Sequence, residues 1–221
     1  MHQLGPRVVI AGTHSGVGKT TVATGLMAAM RARGLRVGAA KVGPDFIDPG
    51  YHSLATGRPG RNLDPWICGV DAIGPLAGRA GEGCDVTVVE GVMGLFDGAA
   101  DPDGPVASTA HVASLLSAPV LLVVDASSMS ASVAALVHGY RSYDPHIRLG
   151  GVILNRVGSD THEDMLRDAL RPLGTPVLGC LRRDAALEWR DRHLGLVPVV
   201  EDEPVVRQSL DRLAATVTTS C

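Results

Sequence analysis

Short apolar runs and longer amphipathic stretches alternate along the whole chain. Residues 7–11, 36–42, 85–90, 119–125, 149–155 and 176–181 are runs of strand length, rich in Val, Leu, Ile and Ala. Between them, residues 19–33, 106–116, 129–143, 160–170 and 205–217 carry apolar positions at helical spacing. Gly34 is placed to stop the first of these helices. Residues 44–71 break the rhythm. They hold many Pro, Gly, Asp and Asn residues and read as a long loop with at most short helices. A loop that long inside a compact domain is usually functional. Strands that are apolar throughout, rather than alternating, are buried on both faces. With helices between them they predict an α/β fold, a mostly parallel doubly wound sheet joined by right-handed crossovers. In such sheets the site forms beyond the carboxyl ends of the strands. The loops that begin at Gly12, Gly43, Gly91, Ala126 and Arg156 are therefore expected to converge.

Composition sharpens this reading and removes alternatives. At 221 residues, 45% hydrophobic and only 3% aromatic, the chain suits one domain around a Val/Leu/Ala sheet better than an all-β sandwich. The formal charge of -3 is dispersed, which argues against a nucleic-acid surface. Residues 1–7 are too short and polar for a signal peptide, and no apolar run reaches membrane-spanning length. Cys68, Cys84, Cys180 and Cys221 form no C-x-x-C pair and read as reduced, structural thiols of a cytoplasmic protein. The eight histidines, His14, His52, His111 and His193 among them, show no zinc-ligand spacing. Internal repeats and low-complexity linkers are absent from the sequence.

The chemistry gathers in four segments, and two of them hold the only lysines of the chain, against eighteen arginines. The first is Gly12-Thr13-His14-Ser15-Gly16-Val17-Gly18-Lys19-Thr20-Thr21, between a strand and a helix. Its backbone N–H groups and helix N-terminus suit a phosphate, Lys19 suits the β/γ oxygens, and the Thr20 hydroxyl suits Mg²⁺. Five residues separate Gly12 from Gly18 rather than four, and Thr13 stands where a first glycine is usual. Gly12, Thr13, Gly16, Val17, Gly18, Lys19, Thr20 and Thr21 are the nucleotide-binding candidates. The second segment runs from Lys41 to Pro49, with Asp45 and Asp48 three residues apart. A lysine facing phosphate and carboxylates facing metal or a nucleophile suit phosphoryl transfer; a solvated acidic turn is the plainer alternative. In the third, Glu90 ends an apolar strand, a position where an acid supports nucleotide-bound Mg²⁺, and the turn through Gly98 adds Asp97. In the fourth, Asn155 follows a buried strand; its amide both donates and accepts, as adenine recognition requires, although Asn also simply forms turns.

These segments, together with Arg61-Asn62-Leu63-Asp64 and Arg192-His193-Leu194-Gly195-Leu196, resemble the cobyrinic acid a,c-diamide synthases. The long first loop is similar to that of the related dethiobiotin synthetases, so the fold implied is a P-loop NTPase of that type. The resemblance spans essentially the whole chain. It implies an ATP-binding amidoligase domain over residues 1–221, acting on the a- and c-acetate carboxylates of a corrinoid through acyl phosphates. It implies ATP and Mg²⁺ as cofactors, Lys41, Asp45, Asp48 and Asp97 as catalytic candidates, and Thr20, Asp45 and Glu90 as metal ligands. Asn155 would bind adenine. Ammonia would come from a C-terminal glutaminase domain, which this chain, ending at Cys221, is expected to lack. Family analogy also allows a homodimer. Nickel-sirohydrochlorin a,c-diamide synthase shares the same motifs and stays open. Dethiobiotin synthetase has no reason to carry the 41–49 segment. A partitioning or cell-division switch ATPase would place a lysine among residues 13–15, where this sequence has none.

Overall fold

The computed structural model describes residues 4–100, 106–183 and 203–220. Among these residues seven strands form a single sheet: β1 (Arg7–Gly12), β2 (Val37–Val42), β3 (Arg61–Leu63), β4 (Val86–Glu90), β5 (Val120–Asp125), β6 (Leu149–Val157) and β7 (Val177–Arg182). Their order is β3-β2-β4-β1-β5-β6-β7, with every neighbouring pair parallel. Among the described residues, eight α-helices connect or flank them: α1 (Lys19–Ala32), α2 (Asp48–Thr56), α3 (Pro65–Cys68), α4 (Val70–Ala80), α5 (Thr109–Leu115), α6 (Ser132–Tyr143), α7 (Asp160–Leu170) and α8 (Glu203–Ser220).

Strand periodicity sorts the core into two layers. In β1, Val9 and Ala11 pack with residues of α4, α5, α6 and α7, while Ile10 packs on the opposite face with Val22, Ala23 and Met27 of α1 and Leu213 of α8. Successive side chains of a strand point to opposite faces, so both layers draw on the same apolar strands. This explains why the strands read as continuous runs. Helix ends follow local chemistry. The Ser159 hydroxyl accepts from the His162 N–H to cap α7, and Ser108 does the same for His111 at α5. Gly34, at φ 86°, ends the turn after α1. Gly25 lets α8 lie close on α1, because a β-carbon there would stand 2.8 Å from Leu213 and from Val217.

The expected loop at 44–71 contains more order than its composition suggests. Helix α2 starts inside it with proline in its first turn, where the missing N–H costs nothing. Strand β3 pairs with β2, and Asp64 caps the short α3 by accepting from the Trp66 and Ile67 N–H groups. Helix α4 follows directly. The terminal helix expected at 205–217 is α8. The Arg192-to-Leu196 segment and Cys221 lie outside the described residues.

Candidate functional site

The chain reverses direction across the sheet at β1, which lies between β4 and β5. The loop after β1 therefore sits at the switch point of the fold, where open α/β sheets bind ligands. Gly16 and Gly18 adopt φ of 80° and 97°, which residues with a β-carbon rarely adopt. Neighbouring strands, α6 and the loop after β4 hold this loop in place. The Thr13 N–H donates to the Val123 carbonyl at 3.2 Å, and the Leu95 N–H donates to the Gly12 carbonyl at 2.9 Å. The Tyr140 hydroxyl donates to the Thr13 carbonyl. Asn155 Nδ2 donates to the Val17 carbonyl at 2.8 Å, and Arg156 Nη2 to the Gly16 carbonyl at 3.0 Å. Arg156 also pairs with Asp125, at a φ of 59° that is unusual for a non-glycine residue. Lys19 Nζ donates to the His14 carbonyl at 3.1 Å, across the same loop. The result is a rigid backbone cradle at the start of α1, with Lys19 folded over it.

Beside the cradle stands a buried cluster of charge. Lys41 and Glu90 are register partners on β2 and β4, so their side chains leave the same face of the sheet. That face is the one covered by α1 and α2. Lys41 Nζ lies 2.9 Å from Glu90 Oε1, 2.7 Å from Asp48 Oδ2 and 3.0 Å from the Gly91 carbonyl. The Thr20 hydroxyl donates to Glu90 Oε1 at 2.6 Å, and His52 Nε2 lies 2.6 Å from Glu90 Oε2. Glu90 and His52 are fully buried; Lys41 and Asp48 nearly so, at 3% and 1% exposure. Burial favours a neutral Glu90, but the Lys41 charge and the His52 hydrogen bond outweigh it and hold the carboxyl well below its usual range. Burial likewise opposes the Lys41 charge, and the Glu90 and Asp48 carboxylates overcome this and raise its pKa. Asp48 moves the other way. Burial and the Glu90 charge push its pKa up, against Lys41.

The four sequence segments thus meet in space, though not all in the expected way. Thr20 and Glu90 are in direct contact. Lys41 is embedded between two carboxylates. Asp45 accepts from the Ile47 and Asp48 N–H groups and opens α2, while its carbonyl accepts from Asn62 Nδ2, which draws in the 61–64 segment. Asp97 braces the third loop by accepting from the Gly94 N–H. Asn155 binds the backbone on both sides, its Oδ1 accepting from the Arg156 N–H. The residues fit a magnesium nucleotide: a cradle of free-φ glycines, a helix N-terminus, a lysine, and a hydroxyl–carboxylate pair at the edge.

Residues 8–197 match the CobQ/CobB/MinD/ParA nucleotide binding domain. The chain belongs to that family. Among relatives of this nucleotide-binding domain, the hydrogenobyrinate a,c-diamide synthase of Streptomyces coelicolor is 62% identical over 98% of the chain and 44% of its own length. That of Mycobacterium bovis is 55% identical over 95% of the chain and 47% of its own length. The cobyrinate a,c-diamide synthase of a Synechococcus strain is 48% identical over 94% of the chain and 45% of its own length. The resemblance drawn from the motifs is thereby met by sequence similarity along nearly the whole chain. The chain spans about half the length of these relatives. Chloroplast FtsY from Physcomitrella patens shares the fold alone, with a TM-score of 0.55 at 15% identity, over 95% of this chain and 68% of that one. Among the described residues no helix is long and apolar enough to cross a membrane.

Sequence reasoning missed three residues that hold the cradle and the buried charge cluster in place. His52 was set aside for lacking zinc-ligand spacing, yet it lies one helical turn from Asp48 on α2, and that i,i+4 spacing was visible. Tyr140 and Arg156 reach the cradle from α6 and from the end of β6; neither had a local signal, since both act on backbone carbonyls far away in sequence.

Proposed function

We propose that this chain is the ATP-dependent amide-forming domain of a hydrogenobyrinate or cobyrinate a,c-diamide synthase. The observation that carries the reading is the Thr20–Glu90–Lys41–Asp48 cluster, which joins the phosphate loop to the 41–49 segment through direct contacts. The similarity to the diamide synthases supports the substrate class. In this reading the phosphate loop, Lys19 and the α1 N-terminus bind ATP, and Asn155, near the end of β6, binds the adenine. Thr20 and Glu90 hold Mg²⁺, with Asp45 as a further candidate. When bound, the metal would neutralise charge on the phosphate oxygens.

The reaction is a two-stage exchange at each acetate side chain. An oxygen of the substrate carboxylate forms a bond to the γ-phosphorus as the bond to the ADP oxygen breaks, giving an acyl phosphate. The ammonia lone pair then attacks the carbonyl carbon, phosphate leaves with its bonding electrons, and the nitrogen loses a proton to give the amide. Carboxylate oxygen is a poor leaving group and phosphate a good one, so the first stage makes the second feasible. Lys19 and Lys41 offset the negative charge on the transferred group. Asp48, Asp45 and Asp97 position the acceptor and ammonia. The ammonia donor is a glutaminase domain outside these 221 residues.

The test incubates the chain with ATP, MgCl₂ and ammonium chloride, offering hydrogenobyrinate, cobyrinate and nickel-sirohydrochlorin side by side. ADP release and the number of new amides by mass spectrometry are read together. Amidation of a corrinoid is expected. Amidation of nickel-sirohydrochlorin alone would move the assignment to the other tetrapyrrole, and ADP release without any amide would end the ligase reading.

A further inference from the structure

His52 is a fully buried histidine whose ring is half unused. Its Nε2 lies 2.6 Å from Glu90 Oε2, while its Nδ1 has no hydrogen-bond partner among the described residues. An apolar side chain would fill this place without stranding a ring nitrogen. The position therefore asks for a reason, and the reason lies in how Glu90 is held. An ionised carboxylate only accepts, so Nε2 donates. The two oxygens of Glu90 are divided between different partners: Oε1 takes the Thr20 hydroxyl and Lys41, and Oε2 takes His52. With Oε1 contacts only, the carboxylate can pivot about its last torsion and turn both oxygens toward Lys41. The His52 bond prevents that rotation and leaves Oε1 on Thr20.

The helix that carries His52 also carries Asp48, one turn earlier, and Asp48 bonds Lys41 at 2.7 Å. Helix α2 thus grips both members of the Lys41–Glu90 pair, one through each side chain. Pairs spaced i,i+4 share a helix face, so a single rigid element sets both contacts.

We propose that His52 is a positioning residue that fixes the Glu90 carboxylate against Thr20 and thereby sets the affinity of the nucleotide site for divalent cation. The proposal rests on the reading of Thr20 and Glu90 as magnesium ligands. Groups that orient a metal ligand from behind are typically worth about 10- to 100-fold in metal affinity or activity.

Two variants of the full chain test it. His52→Gln places an amide nitrogen close to where Nε2 stands; His52→Asn reaches only as far as Nδ1. Binding of a non-hydrolysable ATP analogue is measured by calorimetry in EDTA, and Mg²⁺ is then titrated at saturating analogue. His52→Asn is expected to weaken Mg²⁺ binding about tenfold or more, with analogue binding in EDTA unchanged and His52→Gln recovering most of the loss. Wild-type Mg²⁺ affinity in both variants would overturn the proposal. So would an equal loss in both that also appears in EDTA, because that is the mark of general packing. Glu90→Gln separates the two layers. If it loses Mg²⁺ dependence while His52→Asn does not, only the role of His52 falls; if Glu90→Gln itself titrates like wild type, the metal assignment of Glu90 falls with it.

Discussion

Replacing Lys41 by methionine removes one cation from a site where two carboxylates remain. Lys41→Met keeps the length and apolar stem of the side chain, so its cost is chiefly electrostatic. Three contacts vanish, to Glu90, Asp48 and the Gly91 carbonyl. Breaking a buried ion pair from one side typically costs about 3–5 kcal/mol. Proton uptake sets a ceiling on that cost. Asp48 already has a raised pKa, from burial and from the Glu90 charge, and is the group that will take the proton. Protonating an acid of ordinary pKa 3.8 at pH 7 costs about 4 kcal/mol, at about 1.4 kcal/mol for each pH unit. The expected destabilisation at neutral pH is therefore about 3–4 kcal/mol, or a fall in melting temperature of roughly 6–16 °C for a domain of this size. The sign with pH is fixed too. A carboxyl whose folded pKa is raised contributes stability at low pH and loses it as pH rises through that value. The deficit of Lys41→Met must therefore shrink on going from pH 7 to pH 5. Urea unfolding followed by circular dichroism at the two pH values is the assay. A penalty under about 1 kcal/mol, or one that does not change with pH, would refute the electrostatic account of this cluster.

Two further outcomes follow from the same geometry. Gly18→Ala forces a β-carbon at φ 97° to within 2.3 Å of Asn155 Nδ2, which should weaken nucleotide binding by about tenfold or more, since αL strain alone is worth about 1–2 kcal/mol; wild-type affinity by calorimetry would show that the cradle tolerates reshaping. Glu90 has a folded pKa held below its ordinary 4.5, so its stabilisation is complete above that pH and drains away as the solution becomes more acid. The acid limb of the stability profile should be shallower in Glu90→Gln than in wild type, and parallel limbs would place the acid-sensitive group elsewhere.

The sheet was largely legible because six of its seven strands read as apolar runs, and those six were located to within two residues of where they lie. Helices α1 and α7 were legible from periodicity, and α1 also from Gly34 at its end. Helices α2 and α4 were hidden by Pro49-Gly50 and by Gly74-Pro75-Leu76-Ala77-Gly78, which read as breakers. In α2 the proline falls in the first turn, and in α4 the packing of Ile73 and Ala77 outweighs a weak propensity. Strand β3 has only three residues and draws its shape from pairing with β2, which no local pattern records. At the site, the phosphate loop stood out by its Gly-Lys-Thr pattern between strand and helix, and Lys41 and Glu90 because charged residues at the ends of apolar strands have no core role, Asp48 following in the same segment as Lys41. Their mutual contacts did not, since they depend on the Lys41–Glu90 register.

The close seating of α8 on α1 at Gly25 extends the site beyond the residues that line it. Helix α1 begins with Lys19 and Thr20, and its far side is packed by Leu213 and Val217 of α8. Regions of a protein open in contiguous cooperative units rather than residue by residue. Amide hydrogens of α1 should then exchange together with those of α8. A bulky side chain at position 25 would register as slack in the phosphate loop, a binding defect whose origin lies on the far side of its helix.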